Sequence, residues 1–171
     1  MNNIYLVGYM GCGKSAVGRE LPRMTYRRFM DTHALIVEQE GMPIPRIFEE
    51  KGEAYFRKVE TEVLRRLTKE KKRIISCGGG VAMRPENVEE MRRGGKIVLL
   101  SARPETILKR VARDENRPLL KGRKTIEGIT ELMDARLPHY QAAADLTVAT
   151  DDRSMEEIAK EICKAFIPPV R

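Results

Sequence analysis

Every fixed position of a phosphate-binding loop, GxxxxGK followed by Ser or Thr, is filled by residues 8–15, whose sequence is GYMGCGKS. In such a P-loop the glycines let backbone N–H groups turn inward around phosphate oxygens, and the following helix adds positive charge at its N-terminus. The pattern predicts that Lys14 reaches the β- and γ-phosphates of ATP and that the Ser15 hydroxyl holds Mg²⁺. The predicted nucleotide-binding residues of the loop are Gly11, Cys12, Gly13, Lys14, Ser15 and Ala16.

Three further groups of residues could act beside a bound nucleotide. Asp31 and His33 follow an apolar run, and the Asp31 carboxylate could reach the metal ion of the P-loop. Arg57 and Glu60 are three positions apart in a helical pattern, so their side chains are neighbours, and such an arginine could grip a carboxylate through two hydrogen bonds. An Arg and a Glu at this spacing are more often an exposed surface pair. Residues 78–80 are three glycines after a strand, which allow close approach by a ligand but often mark only a turn.

A basic segment, residues 113–125, lacks the regular pattern of apolar residues that the rest of the chain shows. It carries five basic residues, a Pro and a Gly, with little apolar periodicity, which is also typical of a solvated surface loop. Beside a P-loop it favours a mobile lid at about residues 111–125 that closes over the nucleotide and excludes water. Arg117 would then lie against the transferring phosphoryl group, where stabilisation of charge dominates the chemistry.

The candidate site residues must be brought together by the fold, and the order of apolar runs and helical patterns along the chain predicts which fold this is. Short apolar runs occupy residues 4–7, 29–30, 74–77, 97–100 and 146–148. Longer polar stretches lie between them, with apolar residues at helical intervals, as over residues 56–67. This alternation predicts an α/β fold in which helices cover a parallel sheet. Because ligands collect at the carboxyl ends of parallel strands, we expect the P-loop and the glycine run to open onto one cleft.

Composition favours a compact enzyme that acts on small anionic molecules. With 171 residues and 42% apolar content, the chain can bury one core, and we expect a single domain over residues 1–171. No apolar run approaches the roughly 18 to 20 residues that cross a bilayer, and because an apolar strand pattern starts at residue 4 we expect no signal peptide. Three cysteines without a regular framework suggest reduced thiols in the cytoplasm.

The formal charge of +7 comes with few aromatic residues and no recognisable nucleic-acid module, so we expect neither nucleic acid nor membrane as a partner. No large exposed apolar seam is visible, which favours a monomer.

Taken together, the motifs resemble the shikimate kinases, small P-loop kinases of the nucleoside monophosphate kinase type. The resemblance extends from residue 4 to about residue 162 and rests on residues 8–15, 31–32, 47–60, 77–80, 117–120 and 136–140. It implies a three-layer α/β/α P-loop NTPase fold with a five-stranded parallel sheet, a helical substrate-binding insertion at about residues 32–60 and the mobile lid. It also implies that ATP phosphorylates the 3-hydroxyl of shikimate, giving shikimate 3-phosphate and ADP on the route to chorismate and the aromatic amino acids.

The resemblance further implies a role for each matching residue. Arg57 and Arg136 would bind the shikimate carboxylate, and Glu60 would orient Arg57. The rest of the substrate pocket would be formed by His33, Phe48, Phe56, Gly78, Gly79 and Gly80. The catalytic groups would be Lys14, Asp31, His33 and Arg117, with Asp31 holding a water molecule on Mg²⁺. Arg110 and Arg153 would flank the adenine, and Arg117 would contact the phosphates from the lid.

His33 is the most consequential departure from the family pattern, which reads Asp-Thr-Asp after the second strand. The second Asp of that pattern accepts hydrogen bonds from substrate hydroxyls, including the one that is phosphorylated. A neutral imidazole accepts one hydrogen bond through one nitrogen, so both the positioning and the base role should weaken. General-base contributions are typically about 10²- to 10⁴-fold, so we expect slow turnover rather than none.

Several interpretations of His33 stay open at this point. The chain could be a shikimate kinase with an altered pH profile, because histidine generally titrates near neutrality. It could instead act on another small hydroxy acid, as a gluconate kinase-like enzyme would, or be a weakly active or non-catalytic nucleotide-binding paralogue. His33 could also merely tolerate an exposed loop position. A gluconate kinase-like interpretation gives no reason for residues 56–57, 78–80 and 117–120 to occur together.

Overall fold

Five strands form the centre of the structure, a computed structural model that describes residues 2–111 and 125–166. The strands are β1 (Asn3–Val7), β2 (Arg28–Asp31), β3 (Arg73–Ser76), β4 (Gly95–Ser101) and β5 (Leu146–Ala149). The helices are α1 (Lys14–Glu20), α2 (Pro22–Thr25), α3 (Thr32–Glu40), α4 (Ile44–Thr68), α5 (Pro85–Gly94), α6 (Pro104–Val111), α7 (Ile126–Ala143) and α8 (Met155–Phe166), with a 3-10 helix at Val81–Met83.

All strand pairs are parallel, and the strand order is β2-β3-β1-β4-β5. The register places Ile4 opposite Ile74 on one side of β1 and Leu6 opposite Val98 on the other. Every residue of β1 is buried, as expected for a central strand of a sheet that helices cover on both faces. Helix α1 packs against α8, whereas α5 and α7 pack against β4. The predicted α/β/α fold with a five-stranded parallel sheet is confirmed.

The segment between β2 and β3 is helical, and it carries most of the predicted substrate residues. Asp31 caps α3, because its Oδ1 accepts hydrogen bonds from the backbone N–H groups of His33 and Ala34 at 2.9 and 3.2 Å. Helix α3 ends at Glu40 and is capped by Gly41, whose φ of 67° lies in the left-handed region. Helix α4 is kinked at Gly52, where φ is 84° and ψ is 166°. The kink separates a short first segment from the longer segment that carries the predicted carboxylate-binding residues.

The predicted lid at about residues 111–125 is described only at its two ends. Val111 ends α6, and Thr125 caps α7 by accepting a hydrogen bond from the backbone N–H of Gly128 at 3.0 Å. The remainder of the predicted lid, with Arg117, lies outside the described residues. Among the described helices, none combines the length and the apolar character needed to span a bilayer.

Candidate active site

A cleft of about 350 Å³ lies at the carboxyl ends of β1, β2 and β3. One side of the cleft is formed by the P-loop and the start of α1, including Gly11, Gly13, Lys14, Ser15 and Ala16. The facing side is formed by Asp31, His33, Gly78 and Gly79, and Arg110 lines the cleft as well. The expectation that the P-loop and the glycine run open onto one cleft is therefore confirmed.

Glycine is required at three positions of the P-loop. The φ angles of Gly8, Gly11 and Gly13 are 143°, 78° and 100°, a region that side chains with a Cβ atom rarely adopt. A Cβ atom on Gly8 would also lie 2.9 Å from Cys12 Sγ, and one on Gly11 would lie 2.8 Å from Val111 Cγ1. The sequence of the loop thus permits a tight turn that packs directly on the core and leads into α1.

The ammonium group of Lys14 is held inside the loop. Its Nζ donates hydrogen bonds to the carbonyl oxygens of Gly8 at 2.6 Å and Tyr9 at 3.1 Å, and Cys12 Sγ lies 3.8 Å away. Because an ammonium group has three donors, these contacts fix its position within the loop. The positive charge is therefore placed where the loop would enclose phosphate oxygens.

Ser15 and Asp31 join the P-loop to the end of β2. The Ser15 hydroxyl donates to Asp31 Oδ2 at 3.2 Å, while the other carboxylate oxygen caps α3. The capping contacts hold the carboxylate in one orientation at the floor of the cleft. A hydroxyl and a carboxylate oxygen at this separation fit Mg²⁺, which prefers oxygen ligands and usually takes few of them from the protein.

Each of the three consecutive glycines lies directly against a predicted substrate-binding side chain. A Cβ atom on Gly78 would overlap His33 Nε2 and would lie 2.7 Å from Glu60 Oε2. A Cβ atom on Gly80 would lie 2.6 Å from Arg57 Cζ and 2.8 Å from Arg57 Nη2. These glycines are needed because side chains approach the backbone closely, and the turn is more than a simple connection.

Arg57 and Glu60 do not form the exposed surface pair that their spacing most often indicates. The Glu60 side chain is fully buried, and its Oε1 accepts a hydrogen bond from Arg57 Nη1 at 3.0 Å. Glu60 Oε2 lies 3.6 Å from His33 Nε2, and Arg57 Nη2 also lies 3.5 Å from the exposed Glu53. The buried Glu60 carboxylate therefore lies between the side chains of Arg57 and His33.

Arg136 approaches the glycine run from α7. A Cβ atom on Gly79 would lie 2.8 Å from Arg136 Nη1, and this nitrogen is buried without a hydrogen-bond partner among the described residues. Buried guanidinium donors are normally paired, so this donor is suited to an anionic group that enters the cleft. The neighbouring Tyr140 hydroxyl donates to the Gly79 carbonyl at 2.5 Å, and burial raises the pKa of Tyr140 to about 12. The phenol therefore remains a donor at neutral pH and fixes the glycine run against α7.

Aromatic side chains pack behind the polar groups. The ring centroids of Phe48 and Phe56 are 4.8 Å apart, and the His33 ring meets Phe56 edge-on at 5.7 Å. Phe56 is only 1% exposed, whereas Phe48 is half-buried. Of the two predicted walls of the substrate pocket, Phe48 has the accessible surface and Phe56 supports it and the His33 ring from behind.

Of the two arginines predicted to flank the adenine, Arg110 lies at the P-loop cleft and Arg153 lies outside it. Arg110 lines the cleft, and its Nη1 donates to the Gly11 carbonyl at 2.9 Å. Arg153 does not line this cleft, since its Nη1 pairs with Glu161 at 2.7 Å and donates to the Ala149 carbonyl at 3.0 Å.

Cys12 contributes little that a nucleotide could contact. Its thiol is fully buried beside a small apolar cavity, and its backbone N–H donates to the Tyr9 carbonyl at 3.2 Å. Arg117 lies outside the described residues. The structure therefore brings Arg110 to the P-loop, and it does not bring Arg153 or the Cys12 thiol into the same cleft.

Two threonines that the sequence analysis gave no role connect parts of the site. The buried Thr150 hydroxyl lies 2.9 Å from the Cys12 carbonyl oxygen and 3.0 Å from that of Ser101, and it accepts a hydrogen bond from Arg110 at 3.2 Å. Thr32 Oγ1 accepts a hydrogen bond from the backbone N–H of Gly78 at 3.1 Å. No local pattern marks a threonine as such a link, because its partners come from distant parts of the chain.

Arg84 is a third residue without a predicted role. Its Nη1 donates to the Arg57 carbonyl at 3.0 Å and to Thr61 Oγ1 at 3.1 Å. It therefore fixes the turn of α4 from which the Arg57 side chain projects.

Comparisons with known proteins identify the family to which this site belongs. The shikimate kinase family model matches residues 10–166. The shikimate kinase of Caldanaerobacter subterraneus subsp. tengcongensis is 40% identical over 167 residues, which are 98% of this chain and 97% of that protein. That of Geobacter sulfurreducens is 44% identical over 160 residues, or 94% and 88% of the two chains.

Solved structures agree with this assignment. The shikimate kinase from Acinetobacter baumannii, solved in complex with shikimate, superposes with a TM-score of 0.92 at 38% identity, covering 96% of this chain and 92% of that one. The enzyme from Aquifex aeolicus superposes with a TM-score of 0.82 at 39% identity and 95% coverage of both chains. The chain described here belongs to the shikimate kinase family.

Proposed function

We propose that this protein transfers the γ-phosphoryl group of ATP to the 3-hydroxyl of shikimate, giving shikimate 3-phosphate and ADP. The observation that carries the proposal is the glycine run, which shares a cleft with the P-loop and lies against two arginines, Arg57 and Arg136. Arg57 is oriented by the buried Glu60, and Arg136 has a buried donor without a partner among the described residues. A substrate with a carboxylate and several hydroxyls matches this combination of charges and donors.

The carboxylate of shikimate would bind between Arg57 and Arg136. Two guanidinium groups can share the two oxygens of a carboxylate, which gives both charge compensation and a defined orientation. Phe48 would cover one face of the cyclohexene ring, since its side chain is only half-buried and is supported by Phe56. The ring hydroxyls would then be directed toward His33 and the phosphate end of the cleft.

ATP would bind with its phosphates in the P-loop. Lys14 would exchange the carbonyls of Gly8 and Tyr9 for phosphate oxygens, and Arg110 would lie beside the loop near the base. Ser15 and Asp31 are the residues that would hold Mg²⁺, Ser15 directly and Asp31 through water. When bound, Mg²⁺ would neutralise part of the charge on the β- and γ-phosphates.

The protein's part in the chemistry would be to align the two substrates and stabilise charge. The 3-hydroxyl oxygen forms a bond to the γ-phosphorus while the bond from that phosphorus to the leaving oxygen of ADP breaks. Lys14 would stabilise the charge that spreads over the phosphate oxygens, and Arg117, outside the described residues, would do so from the lid. His33 would accept a hydrogen bond from the attacking hydroxyl and take up its proton as the bond to the γ-phosphorus forms. Since an imidazole offers one acceptor where a carboxylate offers two oxygens, we expect a lower rate than an Asp at this position would give.

The described part of the proposed site comes from a single chain, so the proposal requires no second subunit, and we expect a monomer. The three cysteines are all free thiols, which is consistent with a reducing compartment such as the cytoplasm.

Ligand-induced stabilisation together with product analysis tests the proposal. Melting temperatures should rise with shikimate alone, with ADP and Mg²⁺, and further with both, because each ligand binds the folded state. Gluconate is the matched control, since it also carries one carboxylate and several hydroxyls. NMR of the product should show a single phosphate on the 3-oxygen of shikimate. Stabilisation by ADP alone, with no effect of shikimate, would instead support a nucleotide-binding paralogue, and turnover of gluconate would support another hydroxy acid as acceptor.

A further inference from the structure

Two buried polar atoms face each other at the substrate end of the cleft. His33 Nε2 and Glu60 Oε2 are 3.6 Å apart, and neither has a hydrogen-bond partner among the described residues. The other oxygen of Glu60 is occupied by Arg57 Nη1 at 3.0 Å. Unpartnered buried polar atoms are rare because each one costs free energy. A small rotation of the imidazole would bring Nε2 and Oε2 within hydrogen-bond distance and would satisfy both atoms.

The geometry also distinguishes the two ring nitrogens of His33. The ring edge with Nε2 and Cδ2 lies against Gly78, because a Cβ atom there would overlap Nε2 and lie 3.0 Å from Cδ2. Nevertheless, 31% of the His33 side chain is exposed, and the residue lines the cleft. Nε2 itself is buried without a partner, whereas Nδ1 is not among such atoms of the described residues, so we infer that the exposure of the ring is on the side that carries Nδ1. Nδ1 is therefore the nitrogen that a molecule in the cleft can reach.

We propose that Glu60 is a positioning residue for His33 and fixes its tautomer. By accepting Nε2–H, Glu60 holds the neutral ring in the form whose Nδ1 carries a lone pair toward the acceptor hydroxyl. The proposal deepens the proposed function and rests on it for the identity of that hydroxyl. A single buried carboxylate then orients Arg57 for the substrate carboxylate and His33 for the substrate hydroxyl. This chain thereby retains a hydrogen-bond acceptor at a position where its relatives are expected to have a carboxylate.

Glu60→Gln tests the proposed hydrogen bond to His33 specifically, because an amide has only one acceptor oxygen. The Arg57 guanidinium can only donate, so it should take the amide oxygen and leave the amide NH₂ facing His33 Nε2. Nε2 must then accept, and the ring proton moves to Nδ1. The substitution therefore converts the nitrogen that faces the cleft from an acceptor into a donor, with little change in side-chain size.

Long-range ¹H–¹⁵N NMR of histidine-labelled protein reads this change directly and needs no substrate. The chain contains two histidines, and the exposed His139 serves as an internal reference. In the neutral ring we expect the His33 proton on Nε2 in the wild type and on Nδ1 in Glu60→Gln. Glu53→Gln is the matched control, because it makes the same chemical change at the other acidic neighbour of Arg57 and should leave the His33 tautomer unchanged. A proton on Nδ1 in the wild type, a ring protonated on both nitrogens, or an unchanged tautomer in Glu60→Gln would overturn the proposal.

Steady-state kinetics separate the two partners of Glu60. Glu60→Gln should lower kcat/KM for shikimate about 10- to 100-fold more in the His33 protein than in the His33→Asp background, because an Asp acceptor does not depend on a tautomer. The loss that remains in the His33→Asp background measures the contribution through Arg57. An equal loss in both backgrounds would mean that Glu60 acts through Arg57 alone, and would overturn the proposal. If none of these proteins phosphorylates shikimate, the proposed function fails, while the NMR comparison still decides the tautomer.

Discussion

Gly80→Ala should weaken the binding of shikimate and leave the nucleotide site unchanged. The new methyl group would lie 2.6 Å from Arg57 Cζ, so the guanidinium must retreat by roughly 0.8 Å to reach the 3.4 Å of ordinary van der Waals contact. A hydrogen bond of about 2.9 Å that lengthens by this amount is no longer a hydrogen bond. The displaced atoms are the end of a flexible side chain, so the protein should still fold, although strain on the buried Arg57–Glu60 pair should lower its stability.

The expected size of the effect follows from the contact that is lost. Hydrogen bonds to charged groups contribute about 1.5–3 kcal/mol, which corresponds to roughly a 10- to 100-fold rise in KM for shikimate. KM for ATP should change little, because Gly80 lies outside the P-loop. Initial rates of ADP release, measured with one substrate varied and the other saturating, give both constants.

Gly41→Ala is the matched control for the steric argument. A Cβ atom on Gly41 would meet nothing within 4 Å among the described residues, but the φ of 67° at this position is unfavourable for alanine. This variant should lose about 1–2 kcal/mol of stability in denaturant titrations and keep both KM values. An unchanged KM for shikimate in Gly80→Ala, or an equal rise in KM for ATP, would refute the placement of Arg57 at the substrate carboxylate.

Three other changes test separate parts of the site. Lys14→Met should lower kcat at least about 10²-fold in the ADP-release assay, because it removes the cation of the P-loop, and a kcat within twofold of the wild type would contradict this role. Tyr140→Phe should cost about 1–3 kcal/mol of unfolding free energy at neutral pH, because the Gly79 carbonyl loses its donor. Burial raises the pKa of Tyr140 from 10.0 to about 12, so the folded wild type should lose stability as the pH rises from 10 toward 12. Tyr140→Phe has no phenol to ionise at this position and should lose less stability over the same range. Equal losses in denaturant titrations of the two proteins would contradict this. Thr150→Val should raise KM for ATP while leaving KM for shikimate unchanged, because Thr150 contacts the Cys12 carbonyl of the P-loop, and a selective effect on shikimate would be inconsistent with that contact.

The features that the sequence predicts well are those encoded locally. The P-loop is a contiguous pattern whose glycines, Lys14 and Ser15 each have a fixed place. The five strands follow from short apolar runs separated by helical periodicity, and buried parallel strands give a strong apolar signal. The shared cleft then follows from the rule that parallel strands end at one edge of the sheet.

Contacts between distant residues were not predictable in the same way. The 3.6 Å approach of Glu60 to His33 depends on how α4 packs against α3, and nothing near either residue encodes it. The surface-pair alternative for Arg57 and Glu60 was wrong for the same reason, because spacing on a helix does not reveal what covers it. Likewise, the pairing of Arg153 with Glu161, eight positions away on α8, was not predicted, and the place of Arg153 beside the adenine stays a prediction.

Shikimate-dependent release of ADP is the most direct test of the central claim, that the cleft phosphorylates shikimate with His33 at the acceptor hydroxyl. The assay contains ATP, Mg²⁺ and shikimate, omits shikimate in the control, and compares the wild type with His33→Asp at several pH values. We predict that both proteins release ADP only when shikimate is present, and that the Asp form is faster by about 10²-fold or more. If neither protein releases ADP in response to shikimate or binds it, the account is contradicted.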